Sequence, residues 1–491
     1  MDQTRQRVSL NFTSIFFGRG FGLVLNLFAI ILAARSLGVE QYGLFTAILS
    51  TITILTKFID FGFSPIITRE LSKKPDNFSL LNNAISVRIG LFFILVIFSN
   101  IVFKLIELPF REILFSNILF SNIIFSSRFL SFRELLEIPF KVNLKMHIVV
   151  LINFLDNFLL LFLILFLPLF DDKIFYFVSI FCLANIPGFG FLIFTLYKNF
   201  RYKFEFQINR ASWLLKESLP LMGYAIFISI FQQFDIVLTK NFISEMANGI
   251  YSAGLRLTLP LSIFPIALIS TTLPKIIADL ENKKSNSKKI ILLVYKLLFI
   301  VSFISALLLS IKAEDIVLVL FGNEYLPSYK VVIILVWSNL FLFFNFFTVE
   351  LLTVFHKQKN NLYFAIIIVV TDLLLFALLH EKYGYVGVAI SRFIATIVGA
   401  IFLKYIISKG EYGKKILSVK LLIYSTTILI FSILISQLNI FIFFVLVIII
   451  SLILAIKFRL FNEFEMNLIL SISKIQNISP KIYSYLKNSN R

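Results

Sequence analysis

The sequence has one cysteine and three histidines in 491 residues. Cys182 therefore has no partner for an internal disulfide, and a thiolate metal cluster is excluded. His147, His356 and His380 are too far apart for metal-ligand spacing. Charge is scarce as well: 15% of residues are charged, against 59% apolar, with 60 Phe. No soluble domain of this length could cover such a composition with polar surface. The common catalytic signatures are also missing, with no GxxxxGK[ST] phosphate loop, no GxSxG elbow and no HExxH. The glycine-rich GRGFG at 18–22 lies inside an apolar run without a preceding strand, which fits close helix packing rather than nucleotide binding. Nothing in this inventory resembles an enzyme.

What the chain does have is a series of apolar blocks, each about 20 residues long, the length that crosses a bilayer as a helix. They are continuous runs rather than short alternating strands, so a barrel is excluded and an all-α polytopic membrane protein is expected. About fourteen transmembrane helices are placed at 12–34, 42–66, 83–103, 112–131, 147–168, 174–197, 219–240, 249–274, 289–311, 329–355, 362–380, 385–407, 419–436 and 439–457. The formal charge of +19 could suggest nucleic acid, but the basic residues sit between apolar blocks rather than on one face of a globular module. No nucleic-acid partner is expected. Their distribution sets topology instead. On one face the joints hold only Arg35, Lys104, Arg111, Lys173, Lys312 and Lys382, whereas the joints and tails of the other face are densely basic. The positive-inside rule then puts both termini in the cytoplasm. Arg5 and Arg7 before the first apolar block resemble a signal peptide, but the block contains Arg19 and runs on too far, so a retained first helix is expected.

An internal repeat divides the chain. SLGVEQYGLFTA (36–47) and FISEMANGIYSA (242–253) align at an offset of 206, which matches Gly43 with Gly249, Phe45 with Tyr251 and Ala47 with Ala253. Arg69 meets Lys275 at the same offset. Parallel repeats around an axis normal to the membrane account for two six-helix halves of one orientation. The expected organisation is a six-helix lobe with an amphipathic linker at 1–212, a second six-helix lobe at 213–410, and two extra helices with a basic tail at 411–491. The joint KNFRYKFEFQINRASWLLKES (198–218) mixes basic and aromatic residues, the pattern of a helix in the headgroup layer.

Ionisable residues within spans are the candidate functional groups, because a charge at a helix centre costs at least ~2.5–3.5 kcal/mol and normally faces a partner or a wet cavity. The cations are Arg19, Lys57, Arg88, Arg256 and Arg392, and the acids are Asp60, Asp156, Asp235, Glu350 and Asp372. Lys57 and Asp60 stand i and i+3 on one helix and can neutralise each other. Arg88 is close enough to its span end to snorkel, and Asp156 can pair with a neighbour. Taken as a set, the cations fall in both halves and suit an anionic headgroup, with guanidinium the preferred phosphate partner. Pro260 and Pro265 in the eighth span and Pro187, Gly188 and Gly190 in the sixth are candidate hinges.

ARSLGVEQYGLF (34–45), FIDFGFSPIITREL (58–71), FDIVLTKNFISEMANGIYSAGLRL (234–257), LPLSIFPIALISTTLPKI (259–276) and VLFGNEYLPSY (319–329) together resemble Wzx-type polysaccharide flippases of the MOP exporter superfamily, whose relatives include MATE transporters. The resemblance covers residues 10 to about 410. It implies two six-helix lobes forming a V and alternating access. It also implies an undecaprenyl-pyrophosphate-linked oligosaccharide carried to the outer leaflet of a bacterial inner membrane, for O-antigen or a comparable surface polymer. Arg19, Lys57, Arg88, Arg256 and Arg392 would then bind the substrate. Asp60, Asp235, Glu350 and Asp372 would couple transport to H+ or Na+. Membrane lipids, a polysaccharide polymerase and glycosyltransferases are the expected partners, and the chain is expected to be a monomer. Two alternatives stay open: a MATE-like cation-coupled multidrug exporter, for which an acid-dominated cavity is expected, and a membrane-embedded glycan polymerase or ligase, for which a large outward loop is expected.

Overall fold

The structure, a computed structural model, describes residues 2–74, 78–129, 131–143, 145–200, 206–281, 286–408 and 419–466, with side chains from residue 22 onward except at 23, 199, 200 and 220. It is almost entirely helical, with no strand among the described residues. The helices are α1 (Asp2–Asp60), α2 (Phe63–Lys73), α3 (Ser79–Leu105), α4 (Phe110–Phe125), α5 (Phe132–Val142), α6 (Met146–Ile164), α7 (Lys173–Leu183), α8 (Ile186–Phe200), α9 (Ile208–Phe242) and α10 (Glu245–Thr258). After these come α11 (Ile263–Glu281), α12 (Asn286–Ile311), α13 (Ala313–Phe321), α14 (Tyr329–Val354), α15 (Lys359–Ser408), α16 (Val419–Leu434) and α17 (Ile440–Lys457).

Ten helices among the described residues are long and apolar enough to cross a membrane, and the polytopic helical fold is as the sequence requires. The difference from the fourteen expected spans has a geometric reason. α1 is 59 residues long and α15 is 50, or about 88 and 75 Å at 1.5 Å per residue, far more than one bilayer crossing. Each is broken by a glycine that leaves helical geometry: Gly38 at φ 78°, ψ 170° and Gly384 at φ 56°, ψ −140°. A side chain would strain both positions, so the sequence can place a kink between two helices there without a loop. At the other extreme, α4 and α16 have only 16 residues each, which is short for a full crossing.

The chain forms two compact units. One comprises Met1–Ala253 with Phe321–Tyr325 and Phe376–Val388, and the other Gly254–Leu320, Leu326–Leu375 and Ala389–Arg491. In the first, Leu81, Ala84, Leu135, Phe140, Leu192 and Leu214 are fully buried and join α3, α5, α8 and α9 into one core. α3 turns Phe93, Ile94, Ile97 and Phe98 outward, each about 60% exposed, the surface expected of a helix solvated by lipid. In the second unit Leu307 on α12 packs with Leu421, Tyr424 and Ile428 on α16 and with Phe443 and Val447 on α17. The last two helices are therefore docked on α12 rather than trailing from it.

Candidate functional site

The first polar centre lies in the first unit, where α1 ends. Phe61 and Gly62 both adopt left-handed backbone (φ 54° and 72°), which turns the chain from α1 into α2 straight after Asp60. That turn places Asp60 and Ser64 against Arg88 of α3. Arg88 is fully buried, and its guanidinium donates to the Asp60 carboxylate, to the Asp60 carbonyl at 3.0 Å and to the Ser131 carbonyl, with the Phe63 ring 5.6 Å from its centre. A guanidinium out of water needs this set of acceptors, since an unpaired buried charge costs several kcal/mol. Two residues expected to serve different ends, Arg88 for substrate and Asp60 for an ion, are thus each other's partner. The local Lys57–Asp60 pairing open to the sequence gives way to a pairing between helices, and Lys57 sits half-buried one turn away. Ser64 Oγ also donates to Glu134 on α5 at 2.8 Å. Burial pushes the Glu134 carboxyl above the usual carboxylate range, and the neighbouring Asp60 charge adds to the rise.

A second network joins α4, α5, α6 and α8. Fully buried Arg133 pairs with Asp156 and donates to Asn153 Oδ1 at 2.8 Å, while Glu137 stands 3.4 Å from its Nε. Arg128 donates to Asn157 Oδ1 at 2.8 Å and Asn185 Oδ1 at 3.3 Å and lies over the Phe181 ring at 4.8 Å. Gly188 makes room for this network, because a Cβ there would lie 2.0 Å from Asp156 Oδ1. Arg128 and Arg133 were not among the sequence candidates. The signal that could have found their partners is Asn153, Asp156 and Asn157 at i, i+3 and i+4, one polar stripe on an otherwise apolar helix.

The third centre is the meeting of the two repeated joints. Gly43 and Gly249 cross so closely that a Cβ on Gly43 would lie 1.9 Å from the Glu245 carbonyl oxygen, and one on Gly249 would lie 2.0 Å from the Val39 carbonyl oxygen. Both contacts obey the 206-residue offset, since residue 39 corresponds to 245 and residue 43 to 249. Thr46 Oγ1 and Ser252 Oγ, again 206 apart, hydrogen-bond at 3.0 Å, and Asn248 donates to the Gly43 carbonyl at 2.7 Å. Each joint therefore presents to the other the surface it receives, as the two copies do across an isologous interface. Asp235 is nearby and buried: Tyr251, the repeat mate of Phe45, donates its hydroxyl proton to the carboxylate, and the Ile236 N–H donates to it at 2.8 Å. Lys240 pairs with Glu112 at 2.9 Å, with Glu245 at 3.8 Å.

In the second unit, Arg256 is half-buried on α10, Asp372 and Arg392 are buried on α15, and Glu350 is exposed on α14. Around Arg392 the helix is fixed by Thr396, which donates to the Arg392 carbonyl at 2.7 Å and accepts from Ser338 at 3.0 Å. Asn345 donates to the Thr396 carbonyl at 3.1 Å. The side chain of Arg19 lies outside the described residues. Among the described residues no group of three or more His, Cys, Asp or Glu is arranged to hold a metal ion.

Residues 6–279 match the family model described as polysaccharide biosynthesis protein. The chain belongs to that family. Among solved structures, the lipid II flippase MurJ in an inward closed conformation superposes with a TM-score of 0.73 at 18% identity, over 91% of this chain and 98% of MurJ. An inward-facing multidrug resistance MATE transporter of the MOP superfamily gives 0.59 at 16%, over 79% and 95% of the two chains. A MOP superfamily transporter from Pyrococcus furiosus, described as having a binding pocket of reverse polarity, gives 0.55 at 14%, over 80% and 94%. No curated protein sequence matches the chain. At these identities the likeness is one of fold, and that fold is the MOP superfamily's. The family member is thus a multi-pass membrane protein, with ten helices among the described residues long and apolar enough to cross a bilayer.

Proposed function

We propose that this polysaccharide biosynthesis family member flips an undecaprenyl-pyrophosphate-linked oligosaccharide from the cytoplasmic to the outer leaflet of a bacterial inner membrane, by alternating access, with both termini in the cytoplasm. The observation that carries the proposal is the combination of the family match with a fold shared over 91% of the chain with a protein named as a lipid II flippase. Lipid II is itself a lipid-linked saccharide, so the chemistry asked of this fold changes only in the glycan. Arg256 and Arg392 are the proposed pyrophosphate ligands, because guanidinium donates two parallel hydrogen bonds to phosphate oxygens. Lys57 and Arg19 are proposed to contribute charge to the headgroup route, whereas Arg88 is committed to Asp60. An inside-negative potential contributes about 2.3 kcal/mol per charge per 100 mV, so export of a dianionic headgroup is favoured by about 4.6 kcal/mol. Asp235, Glu350 and Asp372 are the proposed carboxylates for a coupling H+ or Na+. Glycosyltransferases and a polymerase acting on the same polymer are the proposed partners.

The test is complementation in a cell lacking the gene, with surface polymer and accumulated lipid-linked repeat units measured together. Arg256→Ala and Arg392→Ala should each reduce export by tenfold or more at normal membrane abundance, and Lys at either position should restore part of it. Full export by both Ala variants would remove the arginines from the mechanism. Drug efflux without any change in lipid-linked repeat units would favour the MATE-like reading instead.

A further inference from the structure

Where α2 ends and α3 and α9 begin, the first unit contains a cavity of about 270 Å³, lined by Glu70, Lys73, Lys74, Arg210 and Trp213 over a floor of Leu71 and Leu81. Three cations face one carboxylate. That carboxylate is already engaged: Glu70 accepts from Lys73 and from Arg69, each at 2.9 Å, and Arg69 is further held by Glu217 at 3.4 Å. The Lys73 and Arg69 hydrogen bonds hold the Glu70 carboxyl below its usual range, so it stays ionised and satisfied. Lys74 and Arg210 have no ion pair among the described residues, and they give the cavity its net positive charge. Beside the cavity, the Gln207 N–H at the start of α9 donates to Asn83 Oδ1 of α3 at 2.8 Å and ties the two helices together.

Its depth in the membrane follows from α9. The apolar run of that helix begins at Leu219, just after Lys216 and Glu217 and six residues beyond Trp213, which is about 9 Å at 1.5 Å per residue. Trp213 therefore lies in the headgroup layer, where an indole is stable with its ring among the acyl boundary and its N–H toward water. It is 41% exposed, beside cations and above an apolar floor. This is part of the basic and aromatic joint at 198–218 that the charged residues within the spans do not account for.

We propose that this cavity is a binding site for the phosphate headgroup of an anionic phospholipid, with Lys74 and Arg210 as the phosphate ligands and Trp213 against the glycerol and upper acyl region. It needs no turnover to be seen. A resident anionic lipid would tie α2, α3 and α9 together at the membrane surface.

The test is native mass spectrometry of the detergent-purified full-length protein titrated with phosphatidylglycerol or phosphatidylcholine. The wild type should retain phosphatidylglycerol in preference to phosphatidylcholine. Lys74→Gln with Arg210→Gln should weaken phosphatidylglycerol retention by about tenfold or more, the effect of losing at least one charge-assisted hydrogen bond. A second readout is independent of those variants. The chain has two tryptophans, so in a Trp337→Phe background the emission comes from Trp213 alone. It should shift on addition of short-chain phosphatidylglycerol and not with inorganic phosphate at the same concentration. Equal retention of the two lipids, undiminished retention by the double variant, or an equal response to inorganic phosphate would each overturn the assignment.

Discussion

Removing one partner of the Arg88–Asp60 pair is expected to destabilise the protein by about 3–5 kcal/mol, while removing both should cost far less. Arg88→Met leaves the Asp60 carboxylate beside the like-charged Glu134 without its guanidinium partner, and Asp60→Leu leaves a fully buried guanidinium with only carbonyl and hydroxyl acceptors. The double variant Arg88→Met with Asp60→Leu removes both charges and fills the same space with apolar atoms. Thermal unfolding in detergent should show a fall in Tm of roughly 3–5 °C for each single variant and a substantial recovery in the double. If Arg88 instead served mainly as a substrate ligand, Asp60→Leu would leave Tm near that of the wild type. The double variant would then be no more stable than Arg88→Met.

The second large effect is expected at the crossing of the repeats. Gly43→Ala and Gly249→Ala each put a methyl group within 2.0 Å of a backbone carbonyl oxygen on the facing segment. Backbone cannot swing aside as the end of a side chain can, so the segments must separate, and the Thr46–Ser252 and Asn248–Gly43 hydrogen bonds are lost with the contact. Each variant is expected to lose at least tenfold in export, and the pair together should have no native protein in the membrane. The matched controls are Gly90→Ala and Gly190→Ala, where a Cβ meets nothing within 4 Å. These should be neutral or stabilising by about 0.5–1 kcal/mol, the ordinary helical gain of Ala over Gly. Wild-type export and Tm in both crossing variants would contradict the contact.

How much of this was written in the sequence differs between levels. The membrane class and helical fold follow from apolar run length, a one-dimensional property that lipid enforces directly. The repeat was also visible, through Gly43 and Gly249, although an offset cannot reveal that the repeated positions touch each other. The count of crossings was harder to read. A kink at Gly38 or Gly384 needs only one residue with unusual torsions, and α4 and α16, at 16 residues each, stand at the margin of the length a crossing needs. Partners of buried charges were the least legible. Sequence spacing favoured Lys57 for Asp60, but the left-handed turn at Phe61 and Gly62 carries the chain to Arg88, 28 residues away. Arg128 and Arg133 escaped notice because they stand at the end of a span, where a cation ordinarily reaches water, and only the fold shows both turned inward onto α6.

The central claim is that the chain moves a lipid-linked saccharide between leaflets, and it is tested most directly with purified protein in liposomes. The substrate is an undecaprenyl-pyrophosphate-linked oligosaccharide carrying a fluorescent label on the sugar, and a membrane-impermeant quencher reports the leaflet in which the label lies. With the wild-type protein the protected fraction should become accessible within minutes, faster under an imposed potential of the physiological sign, while Arg256→Ala with Arg392→Ala should approach the rate of empty liposomes. A wild-type rate equal to that of protein-free liposomes, with folded protein confirmed in the same vesicles, would contradict the account.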